Sequence, residues 1–286
     1  MSFAETALLG ALAGLTIYLG LPFGRLQTMS DRARVALAMF AVGVLAFLFM
    51  DVSGHAMAIV EEPVVGLKEG TEGAGKAIGL LALLGAGFAA GTAGLASVER
   101  RMRPPGPVQP PIAGGAVDAL APEDAARLEL RGQQARGRVL RTGLAVAVAI
   151  GLHNFAEGLA IGVSAGTGEI ALATVLIIGF ALHNATEGFG IVGPLGEVRP
   201  SWRWLGLVGL IGGGPVFLGA MLGYNVSSEP LELAFYALSG GAILYVIGEV
   251  WGAMRRFGHR ELGLWMLSAG FMAGIVTDLV VVYGGG

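Results

Sequence analysis

Two short polar phrases inside an apolar stretch carry residues able to do chemistry. The first is His153-Asn154-Phe155-Ala156-Glu157-Gly158, and the second is His183-Asn184-Ala185-Thr186-Glu187-Gly188. On a helix, residues four apart share a face and residues three apart adjoin. Each phrase therefore presents an imidazole, a carboxylate and an amide together. If the short Gly166–Glu169 connection joins two helices, they run antiparallel and their polar faces can meet near mid-membrane. An ionised carboxylate in hydrocarbon costs roughly 2.5–3.5 kcal/mol even on lenient insertion scales, so burying two needs a compensating partner. Imidazole with carboxylate suits Zn²⁺, Fe²⁺, Co²⁺ and Mn²⁺. The alternative is a neutral His–Glu hydrogen bond that only joins helices. One such pair would be weak grounds for a cation; its recurrence in the next apolar segment is much stronger.

The elements that must position these residues are membrane helices. Hydrophobic residues make up 54% of the 286-residue chain and charged residues only 14%, against about 25% charged in a soluble domain. Apolar runs of about 20 residues recur along the chain, as a polytopic membrane protein requires. The expected fold is all-α, with eight spans at Thr6–Arg25, Val35–Ile59, Ile78–Ser97, Val139–Ala165, Ile170–Val192, Trp204–Tyr224, Leu231–Met254 and Leu262–Tyr283. Residues 1–286 read as one transmembrane transport domain. Met1–Glu5 lacks a basic stretch, so the first apolar segment is expected to remain as a spanning helix. With no cysteine, disulfides, thiolate metal sites and cysteine nucleophiles are excluded. Nothing suggests nucleic-acid binding, and no nucleotide-binding motif is present.

The charges orient the spans. All sixteen arginines lie in or beside the connections after spans 1, 3, 5 and 7, whereas Lys68 and Lys76 lie on the other side. The positive-inside rule then places both termini outside and the long 100–138 connection in the cytoplasm of a cell membrane, plasma or inner. The prolines at 104, 105, 107, 110 and 111 argue disorder or extended structure at the start of that connection. Pro122–Arg138 reads as an amphipathic helix on the inner leaflet or continuous with span 4. Glu61, Glu62, Glu69, Glu72, Glu229 and Glu232 give the outer side an acidic rim, either a cation-concentrating entrance or an ordinary wet loop.

Further polar residues lie along a candidate path. Asp51 and His55, four apart in span 2, either extend a cation route outward or mark a helix end at headgroup depth. Glu61-Glu62-Pro63 is expected to end that helix. Gly212-Gly213-Gly214-Pro215 should bend or partly unwind span 6, freeing carbonyls as oxygen ligands or merely kinking it for packing. Glu249 in span 7 is deep enough to face the bundle, and Asp278 stands near the outer end of span 8. Spans 1–3 and 6–8 have opposite orientations around the central pair, a 3+2+3 arrangement of inverted repeats.

At His153–Gly158 and His183–Gly188 the chain resembles the ZIP family of divalent metal transporters, and the resemblance extends over nearly its whole length. His153-Asn154-Phe155-Ala156-Glu157-Gly158-Leu159-Ala160 is similar to the span-4 signature, with Ala156 where proline is usual; Thr186 holds the matching position in the second phrase. The resemblance implies a metal centre of His153, Asn154, Glu157, His183, Asn184 and Glu187 and uptake of divalent metal toward the cytoplasm. It also implies a homodimer. Many bacterial relatives use a glutamate before the span-6 proline. Gly214 stands there, so one principal metal site is expected, and Gly214→Glu could create a second. Glu249 corresponds to a glutamate common in span 7, a candidate inner gate or receiver of the ion.

The function read from these residues is carriage of a transition-metal dication, Zn²⁺ first, with Fe²⁺, Mn²⁺, Co²⁺ or Cd²⁺ open. Alternating access between spans 4 and 5 is the expected mechanism. The metal is cargo, and no prosthetic group is expected. Neutral histidine binds metal and protonated histidine does not, so transport is expected to fall in acid. The competing readings are an intramembrane zinc hydrolase, with His55, His153 and His183 holding zinc while Glu157 or Glu187 activates water, and a non-transporting membrane metal sensor.

Overall fold

Serine and glycine set the ends of the long helices. Ser2 and Glu5 form a reciprocal capping box at the start of α1 (Phe3–Leu15), with the Ser2 amide donating to Glu5 Oε2 at 2.8 Å. Ser30 accepts from the Ala33 amide and starts α2 (Asp31–Glu69). Gly70 ends α2 with φ of 76°, its N–H returning to the carbonyls of Gly66 and Leu67. The structure, a computed structural model, describes residues 1–26, 29–102, 122–166, 168, 170–225 and 228–283.

The remaining helices are α3 (Ala74–Ala89), continued by a π turn at Ala90–Gly94 into α4 (Leu95–Met102), then α5 (Pro122–Gly166), α6 (Ile170–Val192), α7 (Trp202–Asn225), α8 (Glu229–Met254) and α9 (Arg260–Tyr283). The protein is all-α and polytopic. Among the described residues, seven helical stretches are long and apolar enough to cross a membrane: Phe3–Arg25, Asp31–Glu69, Ala74–Arg101, Gly132–Gly166, Trp202–Asn225, Glu229–Phe257 and Arg260–Val280. The 23-residue α6 carries the second polar phrase.

Two expectations are corrected. Pro63 does not end α2, which runs on to Glu69. An interior proline forfeits one backbone bond, and here the left-handed Gly70 makes the stop. The helix of span 6 is not unwound at Gly212-Gly213-Gly214-Pro215; α7 is continuous from Trp202 to Asn225. The unwinding falls in the first span, where α1 gives way to 3₁₀ turns at Thr16–Leu19 and Leu21–Arg25. Pro122–Arg138 is continuous with the helix of span 4, making α5 45 residues long. The proline-rich start of the 100–138 connection lies outside the described residues.

The helices form two groups. In one, α5 packs along α7, with α1 against α7 and α6 against α5. In the other, α2 packs along α9 and α8, and α3 along α8. The groups meet where α5 lies on α8 and α2 on α6. At the end of the molecule rich in arginine, side chains tie connections to one another: Arg25 donates to the Pro200 carbonyl at 2.6 Å, Arg256 to Pro194 at 2.7 Å and Arg136 to Arg199 at 2.9 Å.

Candidate metal centre

Each polar phrase closes with a glycine that lets its helix lie backbone to backbone on a neighbour. A Cβ on Gly158 would run into the Val216 carbonyl of α7, and one on Gly188 into the Ile17 carbonyl after α1. These approaches fix the rotation of α5 and α6. His153, Glu157, His183 and Glu187 all turn inward and are 1–8% exposed.

Glu157 lies between the two imidazoles. His183 Nε2 lies 2.5 Å from Glu157 Oε1, in hydrogen-bonding geometry. His153 Nε2 is 2.9 Å from the same oxygen but off the hydrogen-bond axis, so Nε2 has no hydrogen-bond partner. Candidate ligand atoms from His153, Glu157 and His183 all fall within 4.8 Å of one another. Donors around a tetrahedral Zn²⁺ stand about 3.3 Å apart at ordinary bond lengths, so a cation needs shifts of about 1 Å here. Glu187 stands one step out, its Oε1 3.9 Å from His153 Nε2. Two ionised carboxylates beside two neutral imidazoles would offset the charge of a dication, which lowers the cost of burying it.

The amides brace this arrangement. Asn154 Nδ2 donates to Glu187 Oε2 and to the Gly212 carbonyl, both at 3.0 Å. Asn184 Nδ2 donates to the Ala13 carbonyl at 3.2 Å. Of the seven unpartnered buried side-chain polar atoms among the described residues, five belong here: His153 Nε2, Asn154 Oδ1, Glu157 Oε2, Asn184 Oδ1 and Glu187 Oε1. Buried polar groups normally find partners, and a cluster of lone pairs without them suits a cation. Where relatives are expected to carry proline, Ala156 is buried and Thr186 returns its hydroxyl to the His183 carbonyl at 2.7 Å.

A cavity of about 490 Å³ leads to this centre. His153, Glu157 and His183 line it at its buried end, and Asp51, His55, Glu232 and Asp278 line it where side chains become partly exposed. His55 donates to the Asp51 carbonyl at 3.0 Å and stacks near Tyr236. Phe40, Phe47, Phe180 and Phe235 supply apolar walls. Two predicted residues stand apart from this site. Gly214 is turned away: among the described residues a Cβ there would meet only Leu210, which is 64% exposed. The α7 group that reaches the centre is the Gly212 carbonyl. Glu249 is half-buried on α8 and does not line the cavity.

Sequence reasoning missed Ser239. It is fully buried on α8, with Oγ 2.9 Å from His153 Nδ1. A lone serine in an apolar helix gives no periodic signal, and only the approach of α8 to α5 reveals it.

Fold and centre together define a class: a polytopic membrane protein with a buried His/Glu/His metal-binding triad. The sequence profile described as ZIP Zinc transporter matches residues 115–247, which take in the whole centre. Zinc transporter ZIPB of Bordetella bronchiseptica is 30% identical over 166 residues, 57% of this chain and 53% of that one. Zinc transporter ZupT of Clostridium perfringens is 25% identical over 166 residues, 54% of this chain and 58% of that one. Zinc transporter ZupT of Corynebacterium glutamicum is 26% identical over 202 residues, 68% of this chain and 72% of that one. The match thus spans between half and three-fifths of the length of the first two relatives. Over residues 115–247, just under half of its length, the chain is similar to the ZIP family.

Proposed function

We propose that this protein carries divalent transition-metal cations, Zn²⁺ foremost, across a membrane toward the cytoplasm through the centre between α5 and α6. The observation that carries the reading is the convergence of His153, Glu157 and His183 at the buried end of an open cavity. A purely structural His–Glu pair needs no cavity leading to it. The names of the three relatives agree with zinc as cargo. All three relatives are named as transporters, so the hydrolase reading is set aside.

In this reading α6 is an eighth span, and the three spans on either side of the central pair are inverted repeats. Both termini and the cavity mouth face outward, and the 100–138 connection faces the cytoplasm. A cation at the mouth meets Asp51, Glu232 and Asp278, which raise its local concentration. It loses water as it reaches His153, Glu157 and His183, and Glu187 helps offset its charge. Movement of the α1/α5/α6/α7 group against the α2/α3/α8/α9 group then opens the centre to the other side. The distribution of helix packing supports this division.

The test is Zn²⁺ flux into liposomes containing the purified protein. Wild type should accumulate Zn²⁺, while Glu157→Ala and His183→Ala, inserted and folded, should lose nearly all flux. Wild-type flux from both folded variants would remove the proposed site from the path.

A further inference from the structure

Ser239 differs from four other serine and threonine residues of these helices. Thr92, Ser97, Ser268 and Thr277 each donate to the carbonyl four residues back in their own helix, at 2.6–3.0 Å. Ser239, 0% exposed, instead reaches across to α5 and meets His153 Nδ1 at 2.9 Å. It is also the only hydrogen-bond partner that the centre takes from the second helix group among the described residues. The other hydrogen bonds of the centre join α5 to α6, α5 to α7, and α6 to α1, all within the first group.

We propose that Ser239 is a positioning residue of the metal centre, holding His153 Nδ1 so that Nε2 faces the cation while the cavity is open. We further propose that it lets the ring go when the two helix groups move. This rests on the transport reading above. A neutral imidazole that offers Nε2 to a metal carries its proton on Nδ1, and a partner for that proton fixes both tautomer and ring orientation. Ser239 Oγ is that acceptor. Because donor and acceptor belong to different helix groups, the hold lasts only in the arrangement that joins α5 to α8 at this level. Sliding one group past the other frees the ring, and the centre then grips its cargo less tightly on the release side.

The experiment uses the full chain, with Zn²⁺ as probe, measuring Kd by titration calorimetry and KM and kcat by flux into liposomes. The variants are Ser239→Ala, Ser239→Thr, His153→Ala, the Ser239→Ala/His153→Ala double and Glu157→Ala. Ser239→Ala should raise Kd and KM by roughly 10–100-fold, the usual effect of removing a partner behind a metal ligand, with kcat within about twofold of wild type. Ser239→Thr keeps the hydroxyl and should recover most of the affinity. In the His153→Ala background, Ser239→Ala should change Kd by less than about twofold, because its effect passes through that ring. A Kd within about twofold of wild type for Ser239→Ala overturns the proposal. So does an equal loss with and without His153, or a fall in kcat at constant KM. Zn²⁺ affinity unchanged by Glu157→Ala would instead sink the metal-site reading itself, and this proposal with it. Loss of affinity in Glu157→Ala beside an unchanged Ser239→Ala rejects only the role given to Ser239.

Discussion

Glu157 Oε1 lies 2.9 Å from one imidazole and 2.5 Å from the other, whereas Glu187 Oε1 stands 3.9 Å from His153 and its second oxygen is held by Asn154. The two carboxylates are therefore unequal. Glu157→Ala should weaken Zn²⁺ binding by more than about 100-fold, beyond the range typical of supporting residues, and Glu187→Ala by about 10-fold. Calorimetric titration of both variants checks the order; equal losses would place Glu187 in the ligand set on the same footing as Glu157. A ligand that binds only the folded protein stabilises it by about 2.7 kcal/mol at 100 times its Kd. Thermal unfolding should show that gain for wild type and none for Glu157→Ala at the same Zn²⁺ concentration. These four ligand candidates were legible in the sequence because a His–Glu spacing of four repeats inside apolar segments. Ser239 was not, because its role depends on which helix faces α5. The identity of Gly214 was legible, but its direction was not: that depends on the rotation of α7, which puts position 214 on the same outward face as exposed Leu210.

The helices were legible where an apolar run fixed them and less so where a single residue decides an end. Val35–Ile59 is the apolar part of α2, but Pro63 looked like its stop and Gly70 is the real one. One lost hydrogen bond is cheaper to tolerate than the sequence rule suggests, and a left-handed glycine makes the firmer terminus. Glycine at a helix crossing has a different use, and one comparison separates it from glycine facing outward. A methyl group on Gly158 would strike the Val216 carbonyl and crowd the Ala220 amide, whereas one on Gly79 of α3 would meet none of the described residues within 4 Å. Gly158→Ala should therefore push α5 off α7 and destabilise the protein by about 1–3 kcal/mol, the usual range for overpacking. Gly79→Ala should leave stability unchanged or raise it slightly through better helix propensity. Thermal unfolding in one detergent compares them directly. Equal effects would mean that α5 and α7 can part without loss.

At the scale of the whole molecule, charge and shape point the same way. The cavity mouth gathers Asp51, Glu232 and Asp278, from the middle of α2, the start of α8 and the end of α9. The opposite ends of α8 and α9 carry Arg255, Arg256 and Arg260. In the proposed orientation, which follows the positive-inside rule, the arginine end is cytoplasmic and the cavity opens outward. The chain has no cysteine, which makes a single introduced thiol an unambiguous reporter. Ala160 lines the cavity one helical turn beyond Glu157 and is partly exposed. In sealed right-side-out vesicles, Ala160→Cys should react with a membrane-impermeant cationic thiol reagent added outside. Zn²⁺ should slow that reaction by occupying the space and opposing the reagent's charge. Glu157→Ala in the same background should remove the protection by Zn²⁺ while leaving the thiol reactive, because the cavity walls are untouched. Reaction only from the inner side would reverse the orientation proposed here. Reaction from outside with no Zn²⁺ protection would separate the cavity from the path of the cation.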